Sequence, residues 1–254
     1  METIRDHPIG VFDSGVGGIS TLKTMMRMLP SERFIYYGDM KHAPYGTKTP
    51  EEVLFCARAV VAELTGQGVK ALVIACNTAT GAAAAALRAE LEIPVIAMEP
   101  ALKPAHELRR EGKILVLATP LTLRQEKFER LMGLYGEGAV KVPCPGLMEL
   151  VEADDPDGAR RYLEALFGRF DLREVDAVVL GCTHYVFLKE MIRRMIPEKI
   201  AITDGNEGTA RQLRRVLAQK GLLREGGPGG VTLQTSGTER DQEMMRRMME
   251  KNLS

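Results

Sequence analysis

The sequences ALVIACNT at residues 71–78 and AVVLGCTH at residues 177–184 decide the fold, because each has the same order of features. A run of apolar, mostly branched residues ends at a small residue, and a cysteine and two polar side chains follow. Such runs are typical of buried central strands in a parallel sheet. Ligands of α/β sheets bind at the carboxyl ends of the strands, so we expect Cys76 and Cys182 to lie at that edge.

Strand and helix patterns alternate on both sides of these two runs. The apolar stretch at residues 8–12 ends at Asp13, the turn GVGG follows at residues 15–18, and a helical pattern runs from Ile19 to Leu29. Residues 49–52 (TPEE) form a capping box with proline at the first helical position, which predicts a helix reaching about Gln67. The alternation predicts an α/β fold with mostly parallel sheets.

The two cysteines belong to a longer internal repeat. They are 106 positions apart (182 − 76), and the same offset carries Asp13 to Thr119 (13 + 106), which also closes an apolar strand. Self-similarity at a fixed offset indicates duplication. We therefore predict two similar α/β domains with the active site in the cleft between them. The first comprises residues 1–98 and 208–254, and the second comprises residues 99–207.

The composition limits the classes of partner. Lys plus Arg (34) equals Asp plus Glu (34), so the formal net charge is zero, and we expect neither nucleic acid nor an anionic membrane as a partner. No apolar run approaches the roughly 20 residues that span a bilayer, and the amino-terminal residues are polar rather than signal-like. These features predict a cytoplasmic protein.

The chain has four cysteines, and none belongs to a CxxC pair or another zinc-binding spacing. We therefore predict no metal and, in a reducing compartment, no disulfide framework. Cys56 lies in a predicted helix and Cys144 lies between two prolines, and neither is assigned a role.

The glycine turn after Asp13 favours an anion site, because a strand, a tight turn and a helix amino-terminus expose backbone N–H groups. A dinucleotide site is the alternative, but the full G-x-G-x-x-G pattern is absent. The carboxylate of Asp13 would also repel a pyrophosphate.

The paired thiols predict acid/base chemistry. A cysteine at a helix amino-terminus is a usable base or nucleophile, and the alternative is that Cys76 and Cys182 are buried core residues. Their matched positions favour the chemical role, with Asp13 as a helper near Cys76 and with His184 and Glu152 near Cys182. Thiols on opposite walls can remove a proton from one face of a carbon and return one to the other face, which is racemisation or epimerisation.

Four motifs in this order resemble the glutamate racemase family, and the resemblance extends from about Pro8 to Gly237. They are FDSGVGG at residues 12–18, YGD at 37–39 with PYG at 44–46, CNTAT at 76–80 and GCTHY at 181–185.

The resemblance implies a cofactor-independent racemase that interconverts L-glutamate and D-glutamate and supplies D-glutamate for peptidoglycan, and therefore for cell shape. It implies Cys76 as the base for D-glutamate and Cys182 as the base for L-glutamate, with Asp13, Glu152 and His184 as auxiliaries. The implied substrate-binding residues are Asp13, Ser14, Pro44, Tyr45, Gly46, Asn77, Thr78, Thr122, Thr183 and His184. A homodimer is kept as an alternative to the monomer.

The chain departs from the family pattern at two places that bear on the site. Met40-Lys41-His42 stands where the family usually has Thr-Ala-Arg, and Glu149 stands where a proline is common, one turn before Glu152. Which of the two glutamates faces the cleft stays open. The alternative functions are an aspartate or hydantoin racemase, and a non-catalytic module that binds a phosphate or nucleotide at the glycine turn.

Overall fold

The computed structural model describes residues 3–251, which form two β-sheets with helices on their faces. The strands are Ile9–Asp13 (β1), Arg33–Gly38 (β2), Ala71–Ile74 (β3), Val95–Ala97 (β4), Lys113–Ala118 (β5), Ala139–Pro143 (β6), Val175–Leu180 (β7), Ala201–Asp204 (β8) and Gly230–Thr235 (β9). The first sheet has the order β4-β3-β1-β2-β9 and the second β6-β5-β7-β8. All these pairings are parallel, which confirms the predicted α/β fold.

The helices connect the strands and cover both sheets. They are Ile19–Met28 (α1), Pro50–Gly66 (α2), Asn77–Glu90 (α3), Leu102–Leu108 (α4), Pro120–Arg124 (α5), Glu126–Tyr135 (α6), Leu147–Glu152 (α7), Pro156–Phe167 (α8), Lys189–Met195 (α9), Asn206–Gln219 (α10) and Glu239–Glu250 (α11). The predicted capping box opens α2, where the Thr49 hydroxyl accepts from the Glu52 N–H at 3.2 Å and the Glu52 carboxylate accepts from the Thr49 N–H at 2.8 Å.

The two sheets repeat one topology. Taken in reverse, the second sheet is β8-β7-β5-β6, which matches β4-β3-β1-β2 strand for strand at the 106-residue offset. The fold therefore contains the internal repeat that the cysteine spacing predicts. The exact limits of the two domains stay a prediction, and the chain after α10 adds β9 beside β2 at the edge of the first sheet.

The strands that lead to the two cysteines are central in their sheets. Each residue of β1 and of β3 is buried, as are nearly all residues of β7. Burial on both faces explains why these segments are continuous apolar runs and do not alternate with polar residues. Each fully buried Val, Leu or Ile side chain contributes roughly 1.5–3 kcal/mol, so the strand ends that carry the site are held by the most stable part of each half.

Within the described residues 3–251, no helix is both long and apolar enough to cross a membrane.

Candidate active site

The two cysteines of the repeat face one buried cavity. Cys76 follows β3 and caps α3, where its Sγ accepts from the Ala79 N–H at 3.4 Å. Cys182 follows β7 and precedes a 3-10 turn at Thr183–Leu188. Their side chains are 6% and 7% exposed. Both line one narrow cavity, whose other lining residues are Ser14, Gly46, Asn77, Thr78, Thr119, Met148, Gly181, Thr183 and His184.

The Cys76 wall holds a carboxyl group and a hydroxyl group. Asp13 ends β1 and is fully buried, and its Oδ1 accepts from the Gly15 N–H at 2.8 Å and from the Ser14 hydroxyl at 3.3 Å. The Ser14 Oγ also lies 3.7 Å from the Cys76 Sγ. Burial raises the pKa of Asp13 despite the nearby charge of His184 and two hydrogen bonds. Burial and the charge of Asp13 raise the pKa of Cys76 to about 12, so Cys76 is a thiol at neutral pH.

The Cys182 wall has a different electrostatic setting. The buried His184 places its Nδ1 3.8 Å from the Cys182 Sγ and its Nε2 2.9 Å from the Glu152 Oε1. Burial acts to lower the pKa of His184, but its hydrogen bonds with Cys182 and Glu152 and their charges raise it well above its ordinary value. His184 is therefore an imidazolium that lies 3.8 Å from the Cys182 sulfur. The two walls thus differ, because Cys76 faces a carboxyl group and Cys182 faces a cationic imidazole.

The geometry distinguishes the two glutamates of α7. Glu152 is the last residue of this helix, its side chain is 18% exposed, and it pairs with His184. Glu149 is exposed. The structure therefore places Glu152 at the site.

The glycine turn packs closely against the second half of the molecule. A Cβ atom at Gly17 would lie 2.4 Å from both His184 Nδ1 and Thr183 Oγ1, and one at Gly15 would lie 2.4 Å from Glu152 Oε1. The Gly15 N–H donates a hydrogen bond to Asp13 Oδ1. Glycine is needed here because the second half packs directly against the turn, and the anion site at this turn stays a prediction.

The loop of predicted substrate-binding residues 44–46 reaches the cavity through Gly46. Tyr45 is fully buried and its hydroxyl donates to Asp39 Oδ2 at 2.6 Å. The side chain of Tyr45 is thereby occupied, which leaves its backbone for a ligand. Pro44 precedes it and is half-buried.

Three buried hydroxyl groups meet where the halves touch. Thr78 Oγ1 lies 3.1 Å from Thr119 Oγ1 and 3.0 Å from Thr122 Oγ1, and Thr119 and Thr122 are 2.9 Å apart. Thr183 adds another link, because its hydroxyl donates to Asp13 Oδ2 at 2.9 Å. The predicted ligands Thr78, Thr122 and Thr183 are thus brought together with the catalytic candidates. Thr119 lines the cavity but was absent from the predicted set, although the 106-residue repeat pointed to it.

Asn77 is a further polar residue of the cavity lining, and Gln125 supports the lining from outside the cavity. The Asn77 Oδ1 is buried and accepts no hydrogen bond from any described residue, so it is an acceptor for a ligand. Gln125 Nε2 donates to the Thr78 carbonyl at 2.9 Å and so ties the second half to α3. No sequence pattern pointed to Gln125, because its contact exists only between the two halves.

The arrangement suits an anionic ligand with an ionisable C–H bond. The N–H groups of Asn77 and Thr78 begin α3 and have no intrahelical carbonyl partner, so they can bind a carboxylate. Sulfur atoms on the two walls can then act on opposite faces of the carbon beside that carboxylate.

Comparisons with known proteins agree with this chemistry. The family model Asp/Glu/Hydantoin racemase matches residues 9–213. A glutamate racemase of Clostridium botulinum (strain Loch Maree / Type A3) is 48% identical over 94% of this chain and 95% of its own length. A solved glutamate racemase isoform of Bacillus anthracis has a TM-score of 0.87 at 32% identity and covers 98% of this chain and 96% of its own. A Francisella tularensis glutamate racemase in complex with D-glutamate has a TM-score of 0.83 at 25% identity, with 98% and 96% covered.

Proposed function

The chain belongs to the Asp/Glu/hydantoin racemase family and interconverts L-glutamate and D-glutamate, and we propose that it does so through two thiols, Cys76 and Cys182. The D-glutamate it forms is used for peptidoglycan. The observation that supports the two-thiol reaction is the placement of both sulfurs on one buried cavity, one beside Asp13 and one beside an imidazolium.

The neighbours give each thiol its role. With L-glutamate bound, Cys182 acts as the base that removes the α-proton, and the cationic His184 beside it favours the thiolate form that this role requires. Cys76, whose pKa is about 12, gives its proton to the opposite face of the α-carbon. The products are D-glutamate, a Cys182 thiol and a Cys76 thiolate, and the reaction from D-glutamate runs the same steps in reverse.

We propose that the substrate carboxylates bind at the strand ends. The N–H groups at the start of α3 and the hydroxyls of Ser14, Thr78 and Thr183 line the cavity, and the Thr122 hydroxyl is hydrogen-bonded to Thr78. Negative charge that develops on the α-carboxylate during proton removal is stabilised by such fixed donors. Asn77 Oδ1 is a free acceptor for the substrate ammonium group.

The proposed mechanism needs no pyridoxal phosphate and no metal, because both proton transfers use side chains of the chain itself. The direct experiment follows the circular dichroism of L-glutamate with purified protein after dialysis against a chelator and without added cofactor. Racemisation is expected at an undiminished rate. Activity that disappears with the chelator and returns with metal would contradict the proposal, and faster turnover of L-aspartate would reassign the substrate.

Solvent deuterium separates a two-base from a one-base reaction. When L-glutamate reacts in deuterium oxide and the reaction is stopped early, the D-glutamate formed should carry deuterium at the α-carbon. The remaining L-glutamate should still carry protium, since a thiol on one wall reaches one face only. Early deuterium in recovered L-glutamate, or substantial protium in D-glutamate, would indicate a single base and leave one cysteine without its role.

Two expectations from the sequence stay predictions, namely a homodimer and a cytoplasmic location. Sedimentation equilibrium of the purified protein tests the first of them.

A further inference from the structure

We propose that Asp39, His42 and Cys56 form a binding site for zinc or a similar borderline-soft divalent cation. One ligand atom from each of these three residues lies within 4.8 Å of the other two. The residues are outside the cavity that holds Cys76 and Cys182, so the proposed ion takes no part in the racemisation.

Local structure brings the three ligands together. The 3-10 turn Met40–His42 folds the imidazole back on Asp39, and His42 Nδ1 lies 2.9 Å from Oδ1 and 3.0 Å from Oδ2. Cys56 projects from α2, 17 positions after Asp39 (56 − 39). With bonds of about 2.0–2.3 Å, ligand atoms around tetrahedral zinc are about 3.3–3.7 Å apart, so a small adjustment of the turn admits the ion.

The carboxylate of Asp39 is oriented by further hydrogen bonds, as carboxylate ligands of metals commonly are. It accepts from the Tyr45 hydroxyl at 2.6 Å and from the Ser236 hydroxyl at 2.6 Å. Asp39 is 1% exposed and Cys56 is 6% exposed, whereas the side chain of His42 is 39% exposed. The half-exposed imidazole provides the path by which an ion enters.

The donor set selects the class of ion. Nitrogen, sulfur and carboxylate oxygen together suit zinc, while magnesium and calcium prefer oxygen alone. Without metal, the Cys56 thiol keeps its proton, because burial and the charge of Asp39 raise its pKa. Cys56 binds zinc as a thiolate, so binding releases the thiol proton to solvent.

An occupied site would join the turn at residues 40–42 to α2. The loop with Tyr45 and Gly46 follows this turn directly, and Tyr45 shares the Asp39 carboxylate. The ion would therefore add a link between this turn and α2, next to the loop that reaches the cavity.

The test uses cobalt(II) as the probe, because a thiolate ligand gives it a strong charge-transfer absorption. The protein carries Cys76→Ser and Cys182→Ser, so that the cavity thiols cannot bind the probe. One equivalent of cobalt(II) should produce the absorption, and zinc should remove it by competition. Adding Cys56→Ser should abolish the absorption, and adding His42→Arg should weaken cobalt binding at least about tenfold. Cys144→Ser is the matched control and should leave the titration unchanged.

A second readout uses the unsubstituted chain and does not depend on the cavity variants. Zinc should raise the melting temperature of the wild-type protein more than it raises the melting temperature of the His42→Arg variant. Equal shifts in both proteins, or a cobalt absorption that survives Cys56→Ser, would overturn the proposal.

Discussion

Cys76 and Cys182 occupy equivalent strand ends, yet their neighbours give them different chemical states. Cys76 faces the buried carboxyl of Asp13, and its pKa is raised to about 12. Cys182 lies 3.8 Å from His184, whose own pKa is raised by its contacts with Cys182 and Glu152. Because racemisation requires one base and one acid at the same time, the asymmetry of the neighbours prepares the pair for reaction with L-glutamate.

Both thiols should be needed in both directions, since each direction uses one as base and the other as acid. Cys76→Ala and Cys182→Ala should each lower the rate from L-glutamate and from D-glutamate by at least about 10²-fold. Initial rates by circular dichroism measure this. Cys144→Ala is the control, because the Cys144 thiol donates to the Val142 carbonyl and is not among the residues that line the cavity, and near-normal rates are expected. Equal damage by Cys144→Ala would show that the second base is misassigned.

The pairing of Glu152 with His184 predicts a shift in the pH profile. Glu152→Gln removes a charge that raises the pKa of His184, so the imidazolium is lost at lower pH. The alkaline limb of kcat/KM for L-glutamate should therefore move to lower pH. Glu149→Gln, on the exposed part of the same helix, should leave the profile unchanged. An equal shift in both variants would contradict the proposed role of Glu152.

The junction between α5 and α6 joins the second half to the helix of Cys76. Gln125 is 8% exposed and its amide donates to the Thr78 carbonyl, while its end lies over Gly81. A Cβ atom at Gly81 would lie 1.8 Å from Gln125 Oε1, so the glycine makes room for this contact. Gln125 is thus a positioning residue that holds α3 and the second half together beside the cavity.

Gln125→Ala should affect KM more than kcat, because Gln125 links the second half to α3 and does not line the cavity. A neutral hydrogen bond contributes about 0.5–1.5 kcal/mol, so its loss should raise KM for glutamate about 2- to 12-fold. Steady-state kinetics in both directions check this expectation. Arg124 is the exposed neighbour of Gln125, so Arg124→Ala is the control and should leave KM unchanged. A fall in kcat with KM constant would rule out a positioning role.

A buried ion pair connects distant parts of the molecule. Lys70 Nζ donates to Glu32 Oε2 at 2.5 Å and to the Arg5 carbonyl at 2.5 Å, and both side chains are essentially inaccessible. Glu32 Oε1 also accepts from the Arg224 N–H at 2.9 Å. The pair therefore joins the amino-terminal segment, the first sheet and the segment that leads to β9.

Removing one member of this pair should destabilise the whole fold. Lys70→Met leaves a buried uncompensated carboxylate and should lower the free energy of unfolding by about 3–5 kcal/mol, measured with urea. The double variant Lys70→Met/Glu32→Gln should recover most of the loss, because the charge is gone while the acceptor for Arg224 remains. Lys113→Met breaks an exposed pair with Glu174 and should change the unfolding midpoint little. A double variant as unstable as Lys70→Met would refute this account.

The amino-acid sequence by itself determined the strands, the matched thiols and the duplicated topology. Apolar runs at residues 71–75 and 177–180 specify buried strands, and the residues that follow them must lie at the carboxyl edge of a parallel sheet. The capping box at Thr49 was also readable, because both of its partners lie within one helical turn. All these features are local, so their physical cause is contained in short segments.

Only the tertiary structure decided how the two halves meet. It assigned Glu152 rather than Glu149 to His184, placed Gln125 on Thr78 and filled the glycine turn with side chains of the second half. The residues that such contacts join are 32 to 170 positions apart in the sequence. Periodicity specifies which face of an element is buried, but it does not specify the relative position of two separately formed sheets. That position brings the two thiols to one cavity, and therefore decides the chemistry.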